Sequence, residues 1–590
     1  ELFQSDAAPP ALPTTPLPET AARLPALLAF LRDEQPVFEA VAARPVDDKL
    51  QYVRHAASGL VFPASLFDLD AFLRDLPNWK AAGRDRLCYE FFKYTAAASA
   101  PLLSMLFAIC WTLPAVPGSW REGVVCPLYK QRGDPLDPDN YRSVTLGSCM
   151  ENMFCHALLR HLTPHIDPNL ADEQFGFRPH RGTEPAVLLV NEMLQRHCHT
   201  GCPLYMVFVD LTKAFDHVQW PILFRKLREQ FAVPDSEIRM IALLYSNIQN
   251  FVRVEGRLHP ASFTATAGVR QGDILSPLLF DVYINDLAVG LRTDGGGPAQ
   301  APPITSPVFR SHQRTRLSST FYADDFAGLR TSQGGAHTML ETIAAWCRNN
   351  AIHVSLDKTE WMGINVPPDA QLLYKPDEAS APVPLRRCDT FKYLGVRLSS
   401  NGSWDTEVKY RLDKVRAQLN RHAFFFRNPT IRIHLRLNVF KTLLRPILEY
   451  ALPVLRLSSE HLLSLERLQR RAAKLILGVN THTANEIVQG DTGLKSFTHL
   501  CNKARLRLIA HIKTYPADSL VGKVYASTTP TLARGRQVWA GSTVHSLREW
   551  MDQLRHDASA LPPDETAQRQ FSHLFPANAP NDRERLIRRR

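Results

Sequence analysis

Two adjacent aspartates, Asp324 and Asp325, stand inside the apolar run STFYADDFAGLR, residues 319–330. Carboxylates carried into apolar surroundings are costly to bury unless cations neutralise them. The flanking residues are aromatic and small, so the segment reads as a β-hairpin that presents both acids at its turn. A second run has the same character: LYMVFVDLTKAFDHV, residues 204–218, ends its apolar stretch at Asp210. A strand that delivers one acid beside a hairpin that delivers two makes a carboxylate cluster. Hard oxygen ligands suit Mg²⁺, with Mn²⁺ as an alternative, and two such ions about 4 Å apart can activate a 3′-hydroxyl and stabilise a leaving pyrophosphate. An isolated Asp–Asp pair usually caps a surface turn; the apolar flanks and the upstream strand-end acid favour chemistry here.

The chain has 590 residues, enough for two to four domains. Hydrophobic residues at 45% and charged residues at 22% indicate globular rather than disordered or collagen-like structure. Cys198, His199 and Cys202 resemble metal ligands, but no second pair completes a zinc set, so the cysteines read as reduced thiols of an intracellular protein. No apolar run reaches the ~20 residues of a membrane-spanning helix; Leu102–Leu113 reads as a packed helix. The chain opens ELFQSDAAPP, without Met or a signal-type apolar run, and is expected to be a fragment with any targeting segment missing.

Charge is distributed unevenly. The net charge is +11, yet residues 401–590 hold 31 Lys and Arg against 16 Asp and Glu. A basic C-terminal third beside a slightly acidic body suggests that one part grips a polyanion on which the other works. Residues 1–20 read as a Pro/Ala/Thr-rich leader, and 21–79 as helical from the spacing of Leu24, Leu27, Leu28 and Leu31. Residues 80–400 mix strands and helices, 291–318 read as a flexible Gly/Pro-rich loop, and helical patterns dominate from 404. In one such helix Val408, Leu412, Val415 and Leu419 share a face. Arg411, Lys414 and Arg421 form the adjacent stripe, expected to meet a phosphate backbone.

The acidic motifs, YADD at Tyr322–Asp325 and VDLTKAFD at 209–216, resemble a reverse transcriptase palm. Their neighbours resemble, in order and spacing, the polymerase of non-LTR (LINE-type) retrotransposons. WREGVVCPLYKQRGDPLDPDNYRSVTL (120–146) and QFGFRPHRGT (174–183) resemble two fingers motifs, and GVRQGDILSPLLFDVYINDL (268–287) the nucleotide- and template-contacting motif. LDKTEWMGI (356–364) and FKYLGVRLS (391–399) resemble the motifs that close the palm. LLRPILEYALPVL (443–455) and LERLQRRAAKLILGV (465–479) resemble the helical region after the thumb.

The resemblance implies an α+β right-hand polymerase: fingers, an antiparallel-sheet palm, a helical thumb and a helical C-terminal extension. The expected divisions are 1–79 for the leader and N-terminal helical segment, 80–400 for fingers and palm, 401–480 for a basic thumb, and 481–590 for the extension with its basic tail. It implies an RNA-directed DNA polymerase that copies an RNA template from a DNA primer with dNTPs, using two Mg²⁺ ions, inside the cell and in the nucleus. Asp210, Asp324 and Asp325 would hold the metals, with the main-chain carbonyl of Leu211. Phe215 would block a 2′-hydroxyl, and Gln271 would contact the incoming nucleotide. Lys130 and Arg142 would grip its triphosphate. Lys358 would protonate the departing pyrophosphate. Tyr393, Leu394 and Gly395 would hold the primer end, and Phe175, Gly176, Phe177 and Arg178 would track the template.

Some positions depart from the family pattern. Ser143 replaces a usual proline, Asn152 a usual lysine and His161 a usual arginine. KAAGRDR, residues 80–86, stands where relatives carry a proline-fixed turn, which leaves that turn's geometry open. Arg270 is expected on a solvated surface as readily as at the site. No endonuclease is expected, since only 79 residues precede the polymerase. The alternatives are a catalytically inactive reverse-transcriptase-like nucleic-acid-binding protein, an RNA polymerase with the same palm, which Phe215 disfavours, and a group II intron-type maturase.

Overall fold

The computed structural model describes residues 69–112, 115–131, 133–293, 301–302 and 316–528. The leader, the Leu24–Leu31 spacing, most of the 291–318 loop and the basic tail lie outside the described residues.

The strands are β1 (Glu122–Tyr129), β2 (Tyr141–Leu146), β3 (Leu204–Val209), β4 (Gln249–Val254), β5 (Arg257–Thr264), β6 (Ser319–Tyr322), β7 (Asp325–Arg330), β8 (Glu360–Ile364), β9 (Leu373–Tyr374), β10 (Val383–Pro384), β11 (Arg386–Arg387), β12 (Thr390–Tyr393) and β13 (Val396–Ser399). One sheet runs β2-β1-β4-β5, with β1 and β4 parallel and the outer pairs antiparallel. The second runs β11-β8-β3-β7-β6 and is antiparallel except for the short β11–β8 edge. Helices α1 (Ala96–Thr112) and α2 (Cys149–Ile166) join the core on one face of β3, and α3 (Thr183–Thr200) packs on the second sheet from the other. Then come α4 (Asp235–Tyr245), α5 (Ser276–Thr293), α6 (Gln333–Asn349), α7 (Asp405–Arg421), α8 (Ser459–Leu477), α9 (Phe497–Ile512) and α10 (Leu520–Thr528). Among the described residues, no helix is long and apolar enough to cross a membrane. The Leu102–Leu113 run contributes to α1, whose Leu103, Phe107 and Cys110 are buried.

Central strand β3 is buried on both faces, which its unbroken apolar sequence requires. Tyr205, Val207 and Val209 face one core, built with α2, α4, α5 and α6. Leu204, Met206 and Phe208 face another, shared with α3, α9 and α10. Phe208 stacks on Phe391 with ring centroids 3.9 Å apart. Burying a side chain of this size contributes about 1.5–3 kcal/mol, so β3 is anchored from two directions. A third core is helical: Val408, Leu412, Val415 and Leu419 of α7 pack with Leu465, Leu468, Ala472 and Ile476 of α8. Ser458 and His461 form a capping box at the start of α8, and Gly478 at φ +73° ends it.

The α7 stripe differs from its sequence expectation. Lys414 and Arg421 are exposed, but Arg411 is buried. It pairs with Glu407 one turn earlier (2.6 Å) and donates to the Tyr450 carbonyl (2.5 Å). A guanidinium beside an apolar stripe has a long stem to bury, and Glu407 with the carbonyl supplies its partners. Arg270 is buried too. It pairs with buried Glu151 and donates to the carbonyls of Trp120 (3.4 Å) and Leu244 (3.3 Å), so the surface reading is replaced by an internal strut.

The KAAGRDR segment keeps a turn without its prolines. Arg86 N–H donates to the Gly83 carbonyl (3.3 Å), and Ser148, the N-cap of α2, donates to Asp85 (2.6 Å). A Cβ at Gly83 would lie 2.5 Å from the Gly147 carbonyl oxygen, so close backbone approach explains that glycine.

Candidate active site

The site forms where β3 ends beside the β6–β7 hairpin. The β3–β7 register pairs Val209 with Phe326, and its next step sets Asp210 opposite Asp325. In β6–β7, Tyr322 pairs with Asp325, which leaves Ala323 and Asp324 as the turn, with Ala323 at φ +56°. The three carboxylates are close enough to perturb one another. Burial first, then the charges of Asp324 and Asp210, push Asp325 up to about 6. Asp324 is raised mainly by burial and by Asp210, while Arg142 and Lys358 pull it back. Like charges gathered at a partly desolvated edge store repulsion that a multivalent cation relieves.

The segment after Asp210 adds a further oxygen donor. Leu211 bridges Val354 in antiparallel fashion, with Ser355 N–H on the Asp210 carbonyl (2.8 Å) and Thr212 N–H on that of His353 (2.8 Å). In such a bridge the central residue's own carbonyl points away from its partner strand, leaving that of Leu211 for another ligand. The donor set is thus three carboxylates and a carbonyl, the chemistry a hard divalent ion takes. Lys358 Nζ lies 3.1 Å from Asp210 Oδ2. A second acidic group, Glu151, Cys155 and Asp273, has ligand atoms within 4.8 Å of one another. The buried Arg270 guanidinium already supplies the cation there.

The nucleotide-side residues converge from four segments. Phe215 stacks on Phe280 (4.5 Å, 12°) and meets Phe177 edge-on (6.3 Å). Gln271 Nε2 donates to Asp216 Oδ1 (3.3 Å), and its carbonyl accepts from Thr145 N–H (2.8 Å), which ties the loop before α5 to β2. Gly272 follows at φ +110°, where a Cβ would lie 2.9 Å from the Thr145 carbonyl oxygen. Arg142 is exposed on β2 and its charge reaches Asp324. Lys130 Nζ donates to the Asp139 carbonyl (2.7 Å).

The 174–183 segment is placed differently from its expected template path. Phe175 and Arg178 are buried, and Arg178 donates to Asp167 Oδ1 (2.7 Å) and the Ala171 carbonyl (2.8 Å), so both side chains are engaged inside the protein. Phe177, at φ +56°, is exposed. Gly176 abuts the catalytic hairpin, where a Cβ would lie 2.2 Å from Ala323 N. Gln174, to which sequence reasoning assigned no role, accepts N–H bonds from Gly176 (2.9 Å) and Ala323 (3.1 Å) through one amide oxygen. Backbone bonds from Phe175 N–H to Phe321 and from Phe321 N–H to Glu173 (2.8 Å each) complete the brace. The segment supports the acid-bearing turn from below. A lone glutamine in a loop has no periodicity to reveal this; the adjoining glycine was the available signal.

Tyr393 is likewise buried, its hydroxyl 2.9 Å from Thr320 Oγ1, so its side chain packs within the sheet. Leu394 (φ +44°) and Gly395 (φ +83°) form the β12–β13 turn, and Tyr450 donates its hydroxyl to the Leu394 carbonyl (2.7 Å).

Residues 130–398 match the family described as reverse transcriptase (RNA-dependent DNA polymerase). The chain is 23% identical over 480 residues to the RNA-directed DNA polymerase from mobile element jockey of Drosophila melanogaster, covering 78% of this chain and 49% of that protein. It is 24% identical to the probable RNA-directed DNA polymerase from transposon BS of the same species (70% and 44% covered). It is 25% identical to a Pol polyprotein from type-1 retrotransposable element R2 of Popillia japonica (52% and 48% covered). The chain thus spans about half the length of the relatives it matches. Reverse transcriptases use divalent metal ions, which fits the donor set at Asp210, Leu211, Asp324 and Asp325. Residues 130–398 are a reverse transcriptase domain, and the chain that carries it is a relative of the RNA-directed DNA polymerases of non-LTR retrotransposons.

Proposed function

We propose that this chain extends a DNA primer on an RNA template with dNTPs, as an RNA-directed DNA polymerase. The observation that carries the reading is the convergence of Asp210, Asp324 and Asp325 where β3 ends beside the β6–β7 turn. Two Mg²⁺ ions, or Mn²⁺ in their place, would be held by Asp210, Asp324, Asp325 and the Leu211 carbonyl and would supply Lewis acidity at the attacking and leaving oxygens. Lys130 and Arg142 neutralise the triphosphate, and Gln271 holds the nucleotide against the Gly272 backbone. Phe215, backed by Phe280, leaves no room for a 2′-hydroxyl. Lys358 carries the proton for pyrophosphate. Phe177, Leu394 and Gly395 contribute on the nucleic-acid side, with Lys414 and Arg421 on the thumb facing phosphates. The reading places the protein in the nucleus, and a fluorescent fusion excluded from nuclei would remove that part.

Primer extension tests the proposal directly. With oligo(dT) on poly(rA), Mg²⁺ and dTTP, the protein should lengthen the primer, and Asp324→Asn should abolish product. Extension that survives Asp324→Asn, or no extension under conditions where a control polymerase works, would refute it.

A further inference from the structure

We propose that Lys213 is an additional cation of the triphosphate seat, and that Asp139 of the fingers is the anion it holds until a nucleotide enters. The inference rests on the polymerase reading and deepens it.

Lys213 lies three residues after Asp210, at φ +44°. Its carbonyl accepts from Asp216 N–H (2.8 Å) and His217 N–H (3.3 Å), which fixes the turn. A lysine held in the left-handed region carries strain that a glycine would avoid, so its side chain is retained there at a cost. That side chain reaches another segment: Lys213 Nζ lies 3.0 Å from Asp139 Oδ1, joining the turn after β3 to the β1–β2 tip.

The tip presents Asp139 deliberately. Asp137 caps the short turn by accepting Asp139 N–H (2.9 Å), and Asn140 donates to Asp137 (3.1 Å) and to the Asp134 carbonyl (3.0 Å). Asp139 then engages two lysines with two different groups. Its carboxylate takes Lys213 and its carbonyl takes Lys130 (2.7 Å). The charges of Lys130 and Lys358 also reach the carboxylate, so it feels lysines from three separate segments. Two of them, Lys130 and Lys358, are the residues the polymerase reading assigns to the triphosphate and the pyrophosphate.

The pair is built to be exchanged. Its side chains are 37% and 69% exposed, and ion pairs so open to water are weak. A triphosphate brings several negative charges and many acceptor oxygens against one carboxylate. Entry of the nucleotide would therefore release Asp139 from Lys213 and Lys130 and free the β1–β2 tip from the palm. Asp139 acts as an internal competitor of the substrate.

The test is steady-state extension of oligo(dT) on poly(rA) as a function of dTTP. Asp139→Asn should lower KM for dTTP by about two- to fivefold, because a weak competing anion is removed. Lys213→Met should raise it, while Lys213→Arg should stay near wild type. In the Lys213→Met background, Asp139→Asn should lose its effect. The dissociation constant for primer–template should not follow these changes, which separates seat chemistry from general damage. An unchanged or raised KM in Asp139→Asn would overturn the proposal, as would an equal benefit in both backgrounds. If wild type extends nothing, the polymerase reading fails; calorimetric binding of dTTP with Mg²⁺ then decides this inference by the same order of affinities.

Discussion

Gly176→Ala is the sharpest test of how the acid-bearing turn is held. The added Cβ would start 2.2 Å from Ala323 N, 2.9 Å from the Tyr322 carbonyl carbon and 3.1 Å from Ala323 Cα. All three are backbone atoms, so no flexible side chain can yield. Real Cβ atoms stay beyond 3.0 Å, so loop and hairpin must separate by roughly 1 Å. Part of that movement falls on Ala323 and Asp324, because Gln174 binds the same turn. Overpacking of this kind costs about 1–3 kcal/mol of stability. A displacement of about 1 Å in a reacting constellation costs on the order of 10²-fold in rate. The assay is single-turnover primer extension beside thermal unfolding, with Gly290→Ala as control, since a Cβ at Gly290 meets nothing within 4 Å. The expected result is a rate loss near a hundredfold for Gly176→Ala and near wild-type rate for the control. A Gly176→Ala protein that is folded and within threefold of wild-type rate would refute the bracing argument.

Removal of the Arg270 side chain, as in Arg270→Met, would leave Glu151 buried without its cation, at a cost of about 3–5 kcal/mol. Burial already pushes Glu151 up to about 8, against the pull of Arg270. Loss of the cation raises Glu151 further, so wild type ionises it above about pH 8 while the variant still holds its proton, and the deficit of Arg270→Met should grow as pH rises above about 8; denaturant midpoints that show the opposite trend would reject it. Tyr450→Phe removes the donor to the Leu394 carbonyl and should cost about 0.5–1.5 kcal/mol. The same change should shorten processive products, measured on long poly(rA), and product lengths equal to wild type would show that this turn does not need its tether.

The parts of the site legible in the sequence were those whose physics is local. An apolar run ending in an acid is a strand with its acid at the edge, and β3 with Asp210 follows from that alone. Likewise YADD between short apolar runs is a tight hairpin, and β6–β7 turns at Ala323 and Asp324. The α7 stripe Val408–Leu419 was legible from its period. What the arginines do was not, because a guanidinium looks the same on paper whether it meets water, phosphate or a buried acid. Arg178, Arg270 and Arg411 each found internal partners. Only for Arg411 was the partner visible, as Glu407 one helical turn away. Gln174 and Asp139 escaped for a different reason, since each acts on a segment distant in the chain, Ala323 and Lys213 respectively.

The two-sided burial of β3 bears on how much polypeptide the catalytic edge requires. Its Met206 and Phe208 face belongs to a core that also holds Leu508, Ile512 and Val521, well past the last residue matched by the family at 398. A polymerase shortened to the matched stretch would keep every carboxylate, and α3 and Phe391 over β3, yet lose the outer part of that core. The core that steadies the strand carrying Asp210 therefore reaches past the matched stretch into α9 and α10, and substitutions in that remote helical cap should register at the reaction centre.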